Sequence, residues 1–302
     1  MCGICGVAGT GVVQEDREIF RQLLLVSSLR GIDSTGVAVL ANDQIKIEKE
    51  VTSPSNFLQA RDRKYSLMDN FGTDMMMGHA RWATVGTVNP ENAHPFETAK
   101  YVAAHNGTLV DYRFHQNDLT DSENLFNEME NRGICETLTD LSSSSAYAIQ
   151  LYDKITGKLW LGHNKHRPLF IAQAEFGRVL YWASELEMLQ LVLKRNGVYA
   201  VYKHLIPDLM YEIDITEINN EKLAPAPWIT HKVPPKEIDI RPFNPKKAKK
   251  KDDNTVICSH CLKALSDQEA VNGYQWESAG KNMCICEPCM NHETQPKEKN
   301  VG

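Results

Sequence analysis

Short apolar segments of strand length recur along the first 216 residues, and they restrict the fold more than any other feature of the chain. They are ICGVAG, DMMMGHA, YVAAHN, YAIQLYD, KLWLGH, PLFIAQA, RVLYWAS and LMYEIDI. GVAVLAND followed by QIKIEKEV predicts a hairpin that turns at Asn42 and Asp43. Many strands with few helices between them predict an α+β architecture of mainly antiparallel sheets.

Three segments have the periodicity of helices. EDREIFRQLLLVSSLR places Ile19, Leu23, Val26 and Leu29 on one side. DSENLFNEMENR is predicted to end at Gly133, and ELEMLQLVLKRNG is predicted to form the third helix. These helices are too few to alternate with every strand, which again favours antiparallel sheets.

The composition excludes several classes of protein. A formal net charge of -6 argues against a polycation that coats nucleic acid. No run approaches the roughly 18 apolar residues of a membrane span, and no basic region followed by an apolar core suggests a secretory signal. Eight cysteines without such a signal indicate thiols or metal ligands rather than disulfides. We therefore expect a cytoplasmic protein without a membrane partner.

The chain changes character after the last predicted strand. Residues 217–256 contain six prolines and a lysine cluster, which predict a linker or extended arm. The lysine run could contact nucleic acid or act as a localisation patch, but it is more typical of a solvated tether. The predicted organisation is a domain at 2–216, the linker at 217–256, a cysteine-rich unit at 257–292 and a tail at 293–302.

The cysteine-rich unit contains two C-x-x-C pairs separated by 24 residues. Two such turns can direct four thiolates to one point and complete a tetrahedral site for structural Zn²⁺. A segment this short cannot bury enough surface to fold without such a metal, so a zinc-ribbon-like unit is expected. The predicted ligands are Cys258, Cys261, Cys286 and Cys289, with Cys284, His260 and His292 as alternatives.

A cysteine stands directly behind the initiator methionine. Because Cys2 is small, removal of Met1 is expected, and it would leave a thiol beside an α-amine whose pKa is near neutrality. Cys2 and Cys5 could instead form half of a metal site or a redox pair. A redox pair usually follows a strand at a helix N-terminus, and the other C-x-x-C pairs already match each other. The remaining motifs favour the N-terminal nucleophile, with Cys5 as a buried packing residue.

Seven further motifs follow this start in order: RGIDSTG, HARWATVG, NAHPF, HNG, TDSE, RPLFI and WASE. With MCGICG they resemble the glutaminase domain of class II glutamine amidotransferases, in the N-terminal nucleophile (Ntn) hydrolase superfamily. The similarity is greatest to the glutaminase half of glucosamine-6-phosphate synthase and amidophosphoribosyltransferase. It covers roughly residues 2–215 and implies a four-layer αββα sandwich of antiparallel sheets.

The resemblance implies a role for each matched residue. Cys2 would attack the side-chain amide of glutamine, with its own α-amine as base and acid. Asn106 and Gly107 would form the oxyanion hole. Arg81 would clamp the substrate α-carboxylate, and Asp121 would pair with the α-ammonium. Pocket-shaping or supporting positions are Trp82, Thr84, Arg30 and His94.

Two positions depart from the family pattern. Val85 stands where the glucosamine-forming members often have histidine, and Cys5 replaces a more usual apolar residue. The long acceptor domain of the synthases is also missing from this sequence. Its place is taken by the linker and the cysteine-rich unit, which are too short for a second catalytic domain.

The predicted function is therefore a glutamine amidotransferase subunit that hydrolyses L-glutamine and passes ammonia to a separate acceptor enzyme. One structural Zn²⁺ and no organic cofactor are expected. Two alternatives stay open: an Ntn amidohydrolase acting on another amide, and an inactive glutaminase-fold scaffold whose zinc unit binds a protein or nucleic acid.

Overall fold

The computed structural model describes residues 2–61, 67–69, 71–83, 87–115, 119–174, 178–218, 228–234, 274–278 and 281–285. The chain divides into two compact units, Met1–Lys236 and Glu237–Gly302. In its described residues, the first unit holds two antiparallel sheets and the α-helices. The second unit holds a two-stranded hairpin.

The helices and strands follow one another as the sequence predicts for most of the first unit. The strands are β1 (Gly3–Ala8), β2 (Ser34–Ala41), β3 (Gln44–Glu50), β4 (Thr73–Arg81), β5 (Phe96–Glu97), β6 (Tyr101–Thr108), β7 (Ala146–Asp153), β8 (Lys158–His163), β9 (Phe170–Ala174), β10 (Leu180–Ala183), β11 (Ala200–His204), β12 (Leu209–Asp214), β13 (Trp228–Lys232), β14 (Tyr274–Ser278) and β15 (Lys281–Ile285). The helices are α1 (Gln14–Val26), α2 (Pro54–Arg61), α3 (Asp121–Arg132), α4 (Ile134–Thr139) and α5 (Leu186–Arg195).

The strands of the first unit form two sheets. The first has the order β11-β9-β10-β1-β4-β2-β3, and the second has the order β13-β12-β8-β7-β6-β5. The neighbouring strands pair antiparallel, as the sequence predicts. The predicted hairpin turn is also confirmed, because Asn42 and Asp43 have φ of 51° and 61° between β2 and β3. Positive φ at both central residues is what a type I′ turn requires.

Alternate residues of the central strands enter different apolar cores. In β1, Cys5 and Val7 pack against α1, α2 and α5, whereas Ile4 and Ala8 face the second sheet. On the far side of the second sheet, Tyr147 of β7 packs with α3 and α4. Three cores therefore separate four successive layers of helices, sheet, sheet and helices.

The ends of α3 agree with the sequence prediction, whereas the end of α1 does not. α3 begins behind Thr120, whose hydroxyl accepts the Glu123 N–H at 3.2 Å, and ends at Gly133, as predicted. α1 ends at Val26 and continues only as a 3₁₀ turn. The prediction that Leu29 shares one helical side with Ile19 and Leu23 is therefore wrong, since Leu29 is 84% exposed whereas the other two are buried.

A buried glutamine connects the two sheets. Gln150, on β7, donates its amide N–H to the Gly78 carbonyl of β4 at 2.8 Å. The indole N–H of Trp182, on β10, donates to the Gln150 amide oxygen at 2.7 Å. Both contacts run from the second sheet to the first, so they fix the position of one sheet against the other.

The C-terminal third of the chain is described only in part. β13 lies inside the stretch 217–256, whose composition predicts a linker, and it pairs with β12. The hairpin β14–β15 lies between the two predicted C-x-x-C pairs. Cys258, Cys261, Cys286 and Cys289 lie outside the described residues. Among the helices that are described, none has the length and apolar character needed to cross a membrane.

Candidate active site

The predicted site residues come from strands of both sheets, at one end of the space between them. Alternation along β4 places Arg81 on the same face as Met77, and alternation along β6 places Asn106 on the same face as Val102. Met77 and Val102 both pack in the core between the sheets. Arg81 and Asn106 therefore line opposite walls of one crevice.

Cys2 lies where β1 begins, and main-chain atoms fix its position. The Trp82 backbone N–H donates to the Cys2 Sγ at 3.4 Å, and the Cys2 carbonyl accepts from the Arg30 Nε at 2.8 Å. Arg30 in turn pairs with the Glu185 carboxylate. The RGIDSTG motif, which begins with Arg30, and the WASE motif, which ends with Glu185, therefore meet beside Cys2.

Burial of Cys2 favours the neutral form of its thiol over the thiolate. Burial raises the pKa of the Cys2 thiol, and the Trp82 N–H and the guanidinium groups of Arg81 and Arg30 oppose that shift only in part. A thiol with a raised pKa is a poor nucleophile near pH 7, so chemistry at Cys2 requires a base.

Arg81 is a buried cation at the wall of the crevice. Its guanidinium donates to the Thr87 carbonyl at 3.3 Å and is 5% exposed. Burial lowers the pKa of Arg81, whereas the charges of Cys2, Asp121 and Asp33 raise it. An arginine keeps its charge under such conditions, so the crevice carries a fixed positive group suited to a carboxylate.

The loop that contains Asp33 braces the end of β4. The Asp33 N–H donates to the Arg81 carbonyl at 3.0 Å, and the Asp33 carboxylate accepts the Ala83 N–H at 2.7 Å. A Cβ at Gly31 would lie 2.4 Å from the Arg81 carbonyl carbon. The RGIDS segment therefore holds in place the backbone that presents both Arg81 and the Trp82 N–H.

Asn106 carries a buried donor without a partner among the described residues. Its side chain is 1% exposed, and no described residue accepts a hydrogen bond from its Nδ2. Such groups are rare in folded proteins, because each one forfeits its hydration. At Gly107, a Cβ would lie 1.9 Å from the Ala146 carbonyl oxygen, so glycine alone fits beside β7. These properties suit a donor kept for a ligand.

Asp121 is the first residue of α3, and it is 7% exposed. Its Oδ2 accepts the Leu109 N–H at 3.0 Å, and its Oδ1 accepts the Ser122 N–H at 2.9 Å. The helix N-terminus also stabilises the negative charge. Asp121 thus adds a fixed anion near the cation of Arg81, whose pKa it raises.

His94 stacks on His79 with ring centroids 4.2 Å apart. Burial lowers the pKa of His79 to about 3 and that of His94 well below its usual range, so both rings are neutral. The His94 carbonyl would lie 2.0 Å from a Cβ at Gly36. His94 therefore packs its loop against β2, which fits a supporting role.

Cys5 is separated from Cys2 by the alternation of β1. It is fully buried in the core against the helices, and burial raises the pKa of its thiol to about 12. The prediction that Cys5 is a packing residue is confirmed, and its placement argues against a Cys2–Cys5 redox pair or metal half-site. The described residues contain no group of three or more His, Cys, Asp or Glu that could hold a metal.

The remaining predicted residues lie at the rim or outside the description. Trp82 is 49% exposed beside Cys2, whereas Thr84 and Val85 lie outside the described residues. The sequence analysis does not identify the contributions of Asp33, Ser122 and Glu185. These residues lie in the RGIDSTG, TDSE and WASE motifs, respectively, and membership of these motifs could have indicated them.

Solved structures of known proteins share this fold. A solved structure titled as the allosteric regulatory enzyme of purine biosynthesis matches with a TM-score of 0.59 at 20% identity, over 77% of this chain and 49% of that one. The glutamine phosphoribosylpyrophosphate amidotransferase from B. subtilis matches with a TM-score of 0.56 at 20% identity, over the same shares of the two chains.

Curated relatives are named glutamine–fructose-6-phosphate aminotransferase. The protein of Shouchella clausii is 28% identical over 199 residues, which are 60% of this chain and 32% of that protein. The protein of Bacillus cereus is 24% identical over 287 residues, 89% of this chain and 46% of that one. The chain thus spans less than half the length of these relatives. No protein-family model matches it.

Proposed function

We propose that this chain is a glutaminase that hydrolyses L-glutamine to glutamate and ammonia through a thioester on Cys2. The observation that carries the proposal is the 3.4 Å contact from the Trp82 N–H to the Cys2 Sγ. It ties the thiol to the strand end that carries Arg81, across the crevice from the Asn106 Nδ2, which has no partner in the described part of the chain. A nucleophile, a carboxylate-binding cation and an oxyanion donor then serve one small crevice.

The first half of the reaction forms the thioester. After removal of Met1, the α-amine of Cys2 takes the thiol proton, and the Sγ attacks the side-chain carbonyl carbon of glutamine. Negative charge develops on the carbonyl oxygen, where the Asn106 amide and the Gly107 N–H are the proposed donors. The protonated α-amine then gives its proton to the leaving nitrogen, and ammonia departs as the C–N bond breaks.

The second half returns the enzyme to its starting state. The neutral α-amine takes a proton from water, and the resulting hydroxide attacks the thioester carbon. The C–S bond breaks, the Sγ regains a proton and glutamate is released. One water is consumed for each glutamine, and no redox step occurs.

Arg81 and Asp121 give this site a preference for a free amino acid. A guanidinium fork matches the two oxygens of an α-carboxylate, and the Asp121 carboxylate matches an α-ammonium. A peptide-bound glutamine offers neither charge. Retention of both anchors therefore supports L-glutamine over the alternative of another amide.

We expect Arg81→Ala to lower kcat/KM for glutamine by about 10- to 100-fold, since a charged hydrogen-bonded pair contributes about 1.5–3 kcal/mol. The measurement is glutamate released by Met1-processed protein, with the intact mass verified. Arg132→Ala is a matched control, because Arg132 forms partly exposed ion pairs with Glu128 and Asp140. Processed wild type that releases no glutamate would contradict the proposal, and an unaffected Arg81→Ala would favour a different amide substrate.

The ammonia is proposed to serve a separate acceptor enzyme. Residues 217–302 contain the proline- and lysine-rich stretch and the cysteine-rich unit, which are too short for a second catalytic domain. The cysteine-rich unit is the proposed docking module, with a protein or a nucleic acid as its partner. Affinity purification with and without the last 46 residues tests it, and identical captured partners would contradict this role.

The cysteine-rich unit is further proposed to hold one structural Zn²⁺. Four thiolates in two C-x-x-C pairs are the donor set that zinc prefers, and the β14–β15 hairpin lies between the pairs. When bound, the metal would cross-link the unit and supply no step of the glutaminase reaction. Cys258, Cys261, Cys286 and Cys289 would hold it.

We expect about one zinc per chain by elemental analysis, and its loss in Cys258→Ser/Cys289→Ser. Cys135→Ser is the matched control, because Cys135 stands far from either pair in the sequence. Removal of zinc should leave glutaminase activity within about twofold. Metal-free wild type with a folded C-terminal unit would contradict the site.

A further inference from the structure

A buried hydrogen bond joins the strand of the proposed oxyanion hole to the helix of the proposed ammonium anchor. The Nδ1 of His105 lies 2.9 Å from the Ser122 Oγ. His105 precedes Asn106 in β6, and Ser122 follows Asp121 in α3. Both side chains are nearly inaccessible, with 2% and 4% of their surface exposed.

The second ring nitrogen fixes the direction of this hydrogen bond. The Nε2 of His105 lies 3.2 Å from the Ala146 carbonyl oxygen, which can only accept, so Nε2 carries the proton. Burial lowers the pKa of His105, and the ring stays neutral near pH 7. Nδ1 is then an acceptor, and the Ser122 hydroxyl donates to it.

Ser122 also contacts the Asp121 carboxylate directly. Its backbone N–H donates to Asp121 Oδ1 at 2.9 Å, and its Oγ lies 3.4 Å from the same oxygen. Because the hydroxyl proton points to His105, the backbone N–H of Ser122 is what holds the Asp121 carboxylate, and the Ser122 side chain ties this first turn of α3 to the His105 ring. On the other side, the N–H of Leu109, the residue after β6, donates to Asp121 Oδ2 at 3.0 Å.

We propose that Ser122 and His105 are positioning residues that hold the Asp121 carboxylate at a fixed place relative to Asn106 and Gly107. This inference rests on the proposed glutaminase function. The distance between the group that binds the α-ammonium and the groups that bind the oxyanion then depends on the hydrogen bond between Ser122 and His105. Loss of the hydroxyl breaks the connection between the first turn of α3 and β6 and lets this turn, with Asp121, move, while Asn106 keeps its strand position through the pairing of β6 with β7.

The test is a selectivity ratio between two amides. L-glutamine and glutaramate carry the same amide and α-side carboxylate, but glutaramate lacks the α-amino group. The ratio of their kcat/KM values reports the contribution of the ammonium contact. Both substrates are measured on the same sample, so the ratio does not depend on the fraction of folded protein.

We expect Ser122→Ala to lower this ratio about tenfold, because a displaced Asp121 weakens its charged hydrogen bond to the substrate ammonium. Asp121→Ala should lower it at least as far. Thr35→Val is the control, since the buried Thr35 hydroxyl donates to the Thr52 carbonyl at 2.7 Å on the helix side of β2. Its ratio should equal that of the wild type.

If the alanine variant yields no folded protein, Ser122→Cys replaces the hydroxyl with a weak donor of similar size and should shift the ratio in the same direction. If turnover of glutaramate is too slow, inhibition by L-glutamate and glutarate gives the equivalent ratio. An unchanged ratio in an active Ser122 variant would overturn the inference alone. Wild type that does not hydrolyse glutamine would overturn the proposed function as well.

Discussion

A short extension in front of Cys2 should abolish glutamate release, and proteolytic removal of that extension should restore it. The proposed base is the α-amine of Cys2, which an amide bond to a preceding residue converts into a group that cannot accept a proton. General bases contribute about 10²- to 10⁴-fold to such reactions, so a loss of this size is expected from the extension. The thiol itself is unchanged.

The experiment uses a cleavable N-terminal tag whose protease leaves Cys2 as the first residue. Each sample is then its own control, measured before and after cleavage with the intact mass as the record of processing. Cys2→Ala treated in the same way should stay at background in both states, because it has no nucleophile. Full activity in the uncleaved protein would contradict the role of the amine.

The raised pKa of the Cys2 thiol strengthens this expectation. If the thiol were ionised at rest, attack could proceed without a base, and an extension would have a small effect. Burial keeps the proton on the sulfur, although Arg81 and Arg30 favour the thiolate. Some group must accept that proton, and the α-amine belongs to the same residue.

Replacement of Asn106 by alanine should lower kcat by about 10²- to 10³-fold, the usual effect of losing one oxyanion donor. The KM for glutamine should change little, because charge develops on the carbonyl oxygen only during the reaction. Steady-state kinetics of the processed variant give the two constants separately. Asn131→Ala is the control, since Asn131 lies on the exposed side of α3 and donates to Asn127.

The stability of this variant is a further part of the prediction. The Nδ2 of Asn106 has no partner among the described residues, so its removal relieves a desolvation cost of about 1–3 kcal/mol. That gain offsets the cavity left by the shorter side chain, and Tm should change little. A large fall in Tm together with kcat would instead indicate a structural role and contradict the oxyanion assignment.

The sequence predicts much of this fold because periodicity has a direct structural meaning. A strand buried on both faces is mainly apolar, as are all of β1 and the Met75–Met77 part of β4. The same reasoning fails for β11 and β13, which lie at sheet edges and keep exposed residues such as Val201 and Ile229. Leu29 continues the helical pattern of α1, but the chain leaves the helix before reaching it.

The sequence predicts the part of the site that consists of side chains in recognisable motifs. Motifs indicate Cys2, Arg81, Asn106 and Asp121, yet the contact that fixes Cys2 comes from a backbone N–H 80 positions away. Every residue except proline has a backbone N–H, so the sequence does not indicate which of them contacts Cys2. The pairing of His105 with Ser122 likewise depends on how β6 and α3 pack, which no local pattern specifies.

The bridge through Gln150 gives the proposed site an unusual sensitivity. The nucleophile and Arg81 belong to one sheet, whereas the oxyanion donors belong to the other. A reaction that tolerates only fractions of an ångström therefore depends on the alignment of two separate sheets. A change at Gln150, whose side chain bonds to Gly78 and Trp182, would act on catalysis by letting one wall of the crevice slide past the other.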